Sequence, residues 1–361
     1  MLGAVARVRS GSADKIASLR RAGHKPRATF FHQSTAGITY WRVKLPAKYL
    51  PGRVRDATQF MVRSNGHDRP LEFPNLVGDT AILQIPGDKG AAFVCTAMQA
   101  TGRKLFVEVD DNYIDVHQDP LWAERAGWGT HTRDDDPHTT EGHRWIAEHA
   151  HGVLVSTRAL EKRYLEINDN VHVCRNSIDP DDWPAPASRN EMFRIGWYAS
   201  QSHDRDQDQV RRALSWASRQ PNVEIVNIGL DPDWQFARRQ VPWQNDFQKL
   251  RRELGRLDVG VAPLVNTAMT QYRSDLKALE YAMGGAMPLL QTAEPYWEWE
   301  DKEFARVAAS PDDWMRQIKW SVANRDEVRV RAQQAREHVL ATRTFRTEVE
   351  RWRQAIKGGE A

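Results

Sequence analysis

Short apolar runs of four to eight residues recur along the chain, separated by longer stretches whose apolar positions return every three or four residues. "RATFFHQ" (27–33), "TAILQI" (80–85), "KLFVEVDD" (104–111), "GVLVST" (152–157) and "VHVC" (171–174) have the length and branched or aromatic content of buried strands. Helical patterns lie between several of them, for instance over 139–150 and 157–167. Strands buried on both faces and alternating with helices predict an α/β fold with parallel sheets. "RNSIDPDDWPAPASRNEM" (175–192), rich in Pro, Asp, Ser and Asn, interrupts the alternation and is expected to be a linker. A second series follows: "FRIGWYAS" (193–200), "VEIVNIG" (223–229), "LDVGVAPL" (257–264) and "AMPLL" (286–290). From about 310 the pattern is helical to the end. The expectation is two αβ domains of similar size with a helical tail.

Composition narrows this picture in three places. A chain of 361 residues exceeds one ordinary core, which agrees with two domains. With 40% hydrophobic and 27% charged residues, and no apolar run long enough to span a bilayer, it reads as a soluble protein with no stable membrane insertion. Residues 1–25 lack the apolar centre of a signal peptide and are expected to form a basic, mobile arm. The two cysteines, Cys95 and Cys174, each within an apolar stretch, fit a reducing, cytoplasmic setting. Fourteen tryptophans suit either sugar and base stacking or simple core filling.

Ligands of open parallel sheets bind at the carboxyl ends of the strands, so polar residues directly after a strand are the candidates. In "FFHQSTAGITYWR" (30–42), a small-residue loop with Gly37 leads into a helix near Ile38, with His32 at the strand end and Tyr40 and Arg42 one turn in. It is either an ordinary βα turn or a place where a ligand meets backbone N–H groups. In "VEVDDN" (107–112), Asp110 and Asp111 follow a buried strand, where they orient a substrate or merely cap and face solvent. "THTRDDDPHTTEGH" (130–143) has no defensible metal spacing and reads as a solvated loop with a helix starting near Thr140. In "GWYASQSHDRD" (196–206), Ser200, Ser202 and His203 would cradle a phosphate or stay solvated. In "VNTAMTQYRSDLKALEYAMGG" (265–285), Leu276, Leu279 and Met283 define a buried face, with Ser274 and Lys277 at the helix start and Glu280 one turn on. Lys277 and Glu280 are either a surface pair or a phosphate cation with a carboxylate suited to a vicinal diol. "AEPYWEW" (293–299) would line the same site or cover the core.

Taken in order, "FRIGWYASQSHDRD", "NVEIVNIG", "LDVGVAPL" and "RSDLKALEYAMGGAMPLL" resemble the donor-binding half of GT-B glycosyltransferases, closest to glycosyltransferase family 4. "NSID" (176–179) resembles the family's Asn-x-x-Asp junction. "AGITYWRVKLPAKYL" (36–50) and "FVEVDDN" (106–112) resemble the N-terminal half of a subgroup. The resemblance, over about 27–340, implies two Rossmann-like domains facing a central cleft: an acceptor-side domain over 26–177, a linker over 178–192, a nucleotide-sugar domain over 193–341, and a C-terminal helix over 342–361 that crosses back to the first. It also implies a UDP-sugar as co-substrate, with no metal or other cofactor. Glu280 would hold the ribose, and Gly37, Ser200, His203, Ser274 and Lys277 the donor phosphates. Asp110, Asp111 and His32 would be the catalytic candidates. Tyr40, Arg42, Tyr272 and Asp275 would contact sugar or acceptor. Tyr272 stands where the family often has a second glutamate, which leaves retention of configuration open. The acceptor is a glycan, a protein, a small molecule or, as an alternative, a hydroxymethylated base in DNA. A nucleotide-sugar epimerase and a non-catalytic nucleotide-binding module share the same fold and stay open.

Overall fold

The computed structural model describes residues 28–32, 37–50, 52–56, 80–86, 95–96, 98–100, 102–115, 118, 140–188, 190–244 and 246–357; the expected N-terminal arm, 1–25, and residues 130–139 lie outside them. The chain divides into two units. Residues 1–175 and 348–361 form one, and 176–347 the other.

In the first unit, β1 (Ala28–His32), β2 (Gly52–Asp56), β3 (Thr80–Gln84), β4 (Lys104–Val109), β5 (Gly152–Val155) and β6 (Val171–Val173) form one parallel sheet in the order β2-β1-β3-β4-β5-β6. The order reverses between β1 and β3, which makes their carboxyl ends the switch point where open sheets bind ligands. α1 (Thr140–His149) and α2 (Arg158–Tyr164) follow two of the strands, and the Thr157 hydroxyl caps α2 by accepting from the Leu160 N–H. After β1 the chain turns helical at Gly37–Thr39, widens into a π turn over Tyr40–Lys44 and returns to α-helix over Leu45–Tyr49.

That π turn carries Arg42 into the interior. Arg42 is fully buried, with Nε donating to Glu108 Oε1 at 2.5 Å, Nη1 donating to the Cys174 carbonyl at 2.5 Å, and its guanidinium 5.0 Å from the Trp352 ring. The expected role of Arg42 at a sugar or acceptor is therefore corrected: the side chain is fully buried, and Nε and Nη1 donate inside the core. Burial pushes the Glu108 carboxyl up to about 7, against the pull of Arg42.

In the second unit, β7 (Phe193–Ala199), β8 (Val223–Gly229), β9 (Arg239–Val241), β10 (Val259–Ala262), β11 (Met287–Gln291) and β12 (Arg306–Ala308) give the parallel order β12-β11-β10-β7-β8-β9. This is the dinucleotide-binding strand order, with its switch point between β7 and β10. The connecting helices include α3 (Gln207–Ala217), α4 (Phe247–Leu254), α5 (Leu276–Gly284), α6 (Pro311–Ala323), α7 (Arg325–Thr342) and α8 (Phe345–Lys357), the last running on into the first unit. The tryptophans mostly fill cores: Trp41, Trp197, Trp234, Trp299, Trp314 and Trp352 are at most 5% exposed. Of the expected linker, 178–192, the described residues 178–188 and 190–192 belong to the second unit. Ile178 and Asp179 are fully buried, and the Ala187 N–H donates to the Gly255 carbonyl at 2.9 Å.

Replacing Glu108 with Leu strands a buried guanidinium, so Glu108→Leu should lower unfolding free energy by about 3–5 kcal/mol, and Arg42→Met in the same chain should recover most of it. Denaturant unfolding of the full chain, followed by circular dichroism, measures both.

Candidate functional site

Helix α5 is held at the switch point by one side chain. The last register pair of β7 with β10 is Trp197 with Val261. Beyond it the Tyr281 hydroxyl takes over the ladder's work, accepting from the Tyr198 N–H at 3.0 Å and donating to the Val261 carbonyl at 3.0 Å. Its ring needs Gly260 beneath it, because a Cβ there would meet the ring at 2.1 Å. The helix ends at Gly285, whose φ of 78° is the left-handed cap that glycine tolerates. Ala278 through Gly284 are all buried, so α5 is an interior helix rather than an amphipathic one.

Lys277 and Glu280 therefore sit in the interior, not on a surface. The Lys277 side chain is half-buried, its Nζ is shielded from solvent, and it makes no hydrogen bond among the described residues; the Tyr198 ring centroid lies 5.9 Å away. Burial draws the ammonium down to about 7, a pull that Asp206 and Glu280 resist and Arg273 reinforces. Glu280 is 3% exposed, and burial pushes its carboxyl up to about 7 against Arg251 and Lys277. Two ionisable groups one turn apart thus bury most of their surface without pairing, which costs free energy unless a ligand completes them.

The loops after β7 and β10 meet beside this pair. Asp206 accepts from the Val265 N–H at 2.8 Å and lies 2.6 Å from His203 Nδ1. Arg273 Nη1 stands 3.0 Å from His203 Nδ1 and 3.2 Å from Nε2. Burial, with Lys277 and Arg273 nearby, lowers His203 to about 3, so the imidazole is neutral at pH 7. Its Nδ1 proton goes to Asp206 and leaves Nε2 to accept from Arg273. Burial raises the Asp206 carboxyl, but His203, the Val265 N–H and Lys277 together outweigh it and hold the group below its ordinary range. At this point His203 therefore brings no positive charge, and Arg273 does.

The remaining candidates divide. Ser274 Oγ accepts from Asn176 Nδ2 at 2.7 Å, and the Ser200 carbonyl accepts from the His203 N–H at 3.0 Å. The expected role of Asp275 at a sugar or acceptor is corrected as well. Both of its oxygens take Arg343, at 2.6 and 2.8 Å, and Trp299 Nε1 adds a bond at 2.9 Å, so the carboxylate is locked into the fold rather than aimed at a sugar. The "AEPYWEW" loop supplies that tryptophan and buries Tyr296, while Trp297 stays exposed. Tyr272 is half-buried in a 3-10 turn, Thr270–Tyr272.

In the first unit, His32 ends β1 in register with Asp56, and Gly37 opens the helical segment that carries half-buried Tyr40. Asp110 and Asp111 follow β4. Asp110 Oδ1 accepts from the Tyr113 hydroxyl at 3.2 Å, and Asp111 Oδ1 accepts from the Asn112 N–H at 2.9 Å. Asp111 is 8% exposed, whereas Asp110 is the more open of the two. Among the described residues, no helix is long and apolar enough to cross a membrane.

Sequence reading passed over Arg273, Asp206, Arg343 and Arg251. The signal for Arg273 and Asp206 was present, since each lies in a loop directly after a switch-point strand; arginine and aspartate are simply common in such loops.

Several solved structures share this architecture. HepE from Anabaena, in complex with UDP-glucose, matches with a TM-score of 0.65 at 11% identity, over 93% of this chain and 100% of HepE. WaaG, a glycosyltransferase involved in lipopolysaccharide biosynthesis, matches with a TM-score of 0.60 at 14% identity, over 92% of this chain and 100% of WaaG. TarM matches with a TM-score of 0.55 at 15% identity, over 77% of this chain; the chain spans 55% of TarM's length. No protein-family model matches the chain, and no curated protein matches it in sequence. At these identities the likeness is one of fold, and the fold is the GT-B architecture of glycosyltransferases.

Proposed function

We propose that this chain is a glycosyltransferase that moves a sugar from a nucleotide-sugar donor, a UDP-sugar, to a hydroxyl acceptor. The observation that carries the reading is the shielded Lys277 ammonium, with no hydrogen bond among the described residues, and the buried Glu280 carboxyl one turn on, at the switch point of a dinucleotide-type sheet. A diphosphate would supply an anion to Lys277, and a ribose diol would donate to the Glu280 carboxylate. HepE's complex with UDP-glucose supports UDP as the nucleotide.

In this reading Lys277, Arg273 and the N–H groups at the start of α5 hold the diphosphate. They stabilise the charge that grows on it as the bond from the sugar C1 to the phosphate oxygen breaks. The acceptor oxygen forms the new bond to C1, and its proton passes to the departing diphosphate oxygen. With that path the sugar keeps its configuration, and no protein nucleophile or metal is needed. Asp110 and His32, at strand carboxyl ends of the first unit, are assigned to the acceptor.

UDP should stabilise the full chain in a thermal-shift assay, by about 2.7 kcal/mol at 100 times its dissociation constant. Glu280→Ala and Lys277→Met should each weaken UDP at least about tenfold, or about 1.4 kcal/mol, by calorimetric titration. Release of UDP from UDP-sugars only when an acceptor is present, with hydroxymethylated DNA among those tried, would mark a transferase. Isomerised donor without acceptor would mark an epimerase, and untouched donor a binding module.

Affinity for UDP should also peak near pH 7. Below it Glu280 is protonated and loses acceptor capacity. Above it Lys277 is neutral and must take up a proton to bind. Lys277→Met should flatten the alkaline side of the profile while leaving the acid side.

A further inference from the structure

The two chain segments that pass between the units are fastened to the start of α5. The chain leaves the first unit after Arg175 and returns to it after Thr347. Within the second unit these segments pair: Ile178 bridges Thr344 in parallel, with the Ile178 N–H donating to the Arg343 carbonyl and the Phe345 N–H to the Ile178 carbonyl, both at 2.8 Å. Arg343, 5% exposed, reaches from one segment to the other and to α5. Nη2 donates to the Asn176 carbonyl at 3.1 Å and to Asp275 Oδ1 at 2.8 Å, and Nη1 donates to Asp275 Oδ2 at 2.6 Å. Asn176 closes the ring through Ser274. The Asp275 carbonyl in turn accepts from the N–H groups of Ala278 and Leu279, at 2.9 and 3.2 Å. Lys277 is two residues from this anchor.

An apolar trio of similar volume would commonly be as stable as a buried ion pair, so stability alone is a weak reason for this one. What a bidentate guanidinium adds is direction: two parallel bonds fix the carboxylate's position and angle. We propose that Arg343 is a positioning residue that couples the first turn of α5, and with it the Lys277–Glu280 pair, to both segments by which the chain passes between its units. A ligand that orders the first turn then also tightens the Ile178–Thr344 bridge, and the effect is reciprocal. The ligand half of this inference rests on the donor reading above.

Residue-resolved amide hydrogen exchange on the full chain, free and with UDP, tests it in wild type, Arg343→Met and Arg343→Lys. In the free protein, Arg343→Met should speed exchange at least tenfold at Ile178 and Phe345 and at Ala278 and Leu279 together, with the amides of β8 and β11 unchanged. UDP should slow Ile178 and Phe345 in wild type, lose that effect in Arg343→Met and regain part of it in Arg343→Lys. Acceleration at the bridge without the first turn of α5, or the reverse, overturns the coupling. So does UDP protection in Arg343→Met equal to wild type. If UDP binds nowhere in wild type, the donor reading fails, and the free-protein comparison still decides the clamp. Should Arg343→Met not fold, Asp275→Asn, which keeps the side-chain volume and breaks the charge pair, is read in the same way.

Discussion

The second unit depends on a hydroxyl group standing in for a strand. Where β7 and β10 part, Tyr281 bonds to both, closing with one phenol the gap that the switch in strand order opens. Buried backbone groups at such a gap must find partners, and the usual candidates are water or ligand. Using a side chain from α5 instead ties that helix to the crevice itself. The residues one and four positions before the tyrosine, Glu280 and Lys277, are then delivered to the crevice with no freedom to drift toward solvent. Gly260 is the condition for this arrangement, because any larger residue would displace the ring.

Two sets of buried charges in the protein obey the same physics and end differently. Arg42 and Glu108 meet at hydrogen-bond distance, with the arginine also satisfying the Cys174 carbonyl, so their cost of desolvation is offset inside the first unit. Lys277 and Glu280 are a helical turn apart and do not pair, so their cost stays open. Both have been drawn to about 7, which is where a group responds most to an arriving partner. The loops around them hold their own charges firmly. His203 is neutral and bonded to Asp206, and Asp275 is filled by Arg343 and Trp299. Neighbours held this firmly make a preorganised surround for Lys277 and Glu280.

Read along the chain, the hydrophobic pattern was enough to locate the central strands. β1, β3, β4, β7, β8, β10 and β11 are continuous apolar runs because both of their faces are covered, and covered strands leave that mark in any sequence. Of the four edge strands only β6, "VHV", was legible. β2 reads "GRVRD" and β9 "RQV", since a sheet edge is only partly shielded and tolerates charge. The carboxyl-end rule likewise pointed to Ser200 and His203, just beyond β7, and to Lys277 and Glu280 on the helix that follows β10.

What each charged residue does was decided only in three dimensions. Arg42 and Asp275 sit in motifs as suggestive as that of Lys277, yet their partners, Glu108 and Arg343, lie 66 and 68 positions away. No local pattern carries that information. The sequence by itself determined two parallel α/β domains, the strands that matter and the loops where a ligand belongs, because burial acts residue by residue along an element. The tertiary structure alone determined which charges are paired within the fold, because pairing is a property of distance in space.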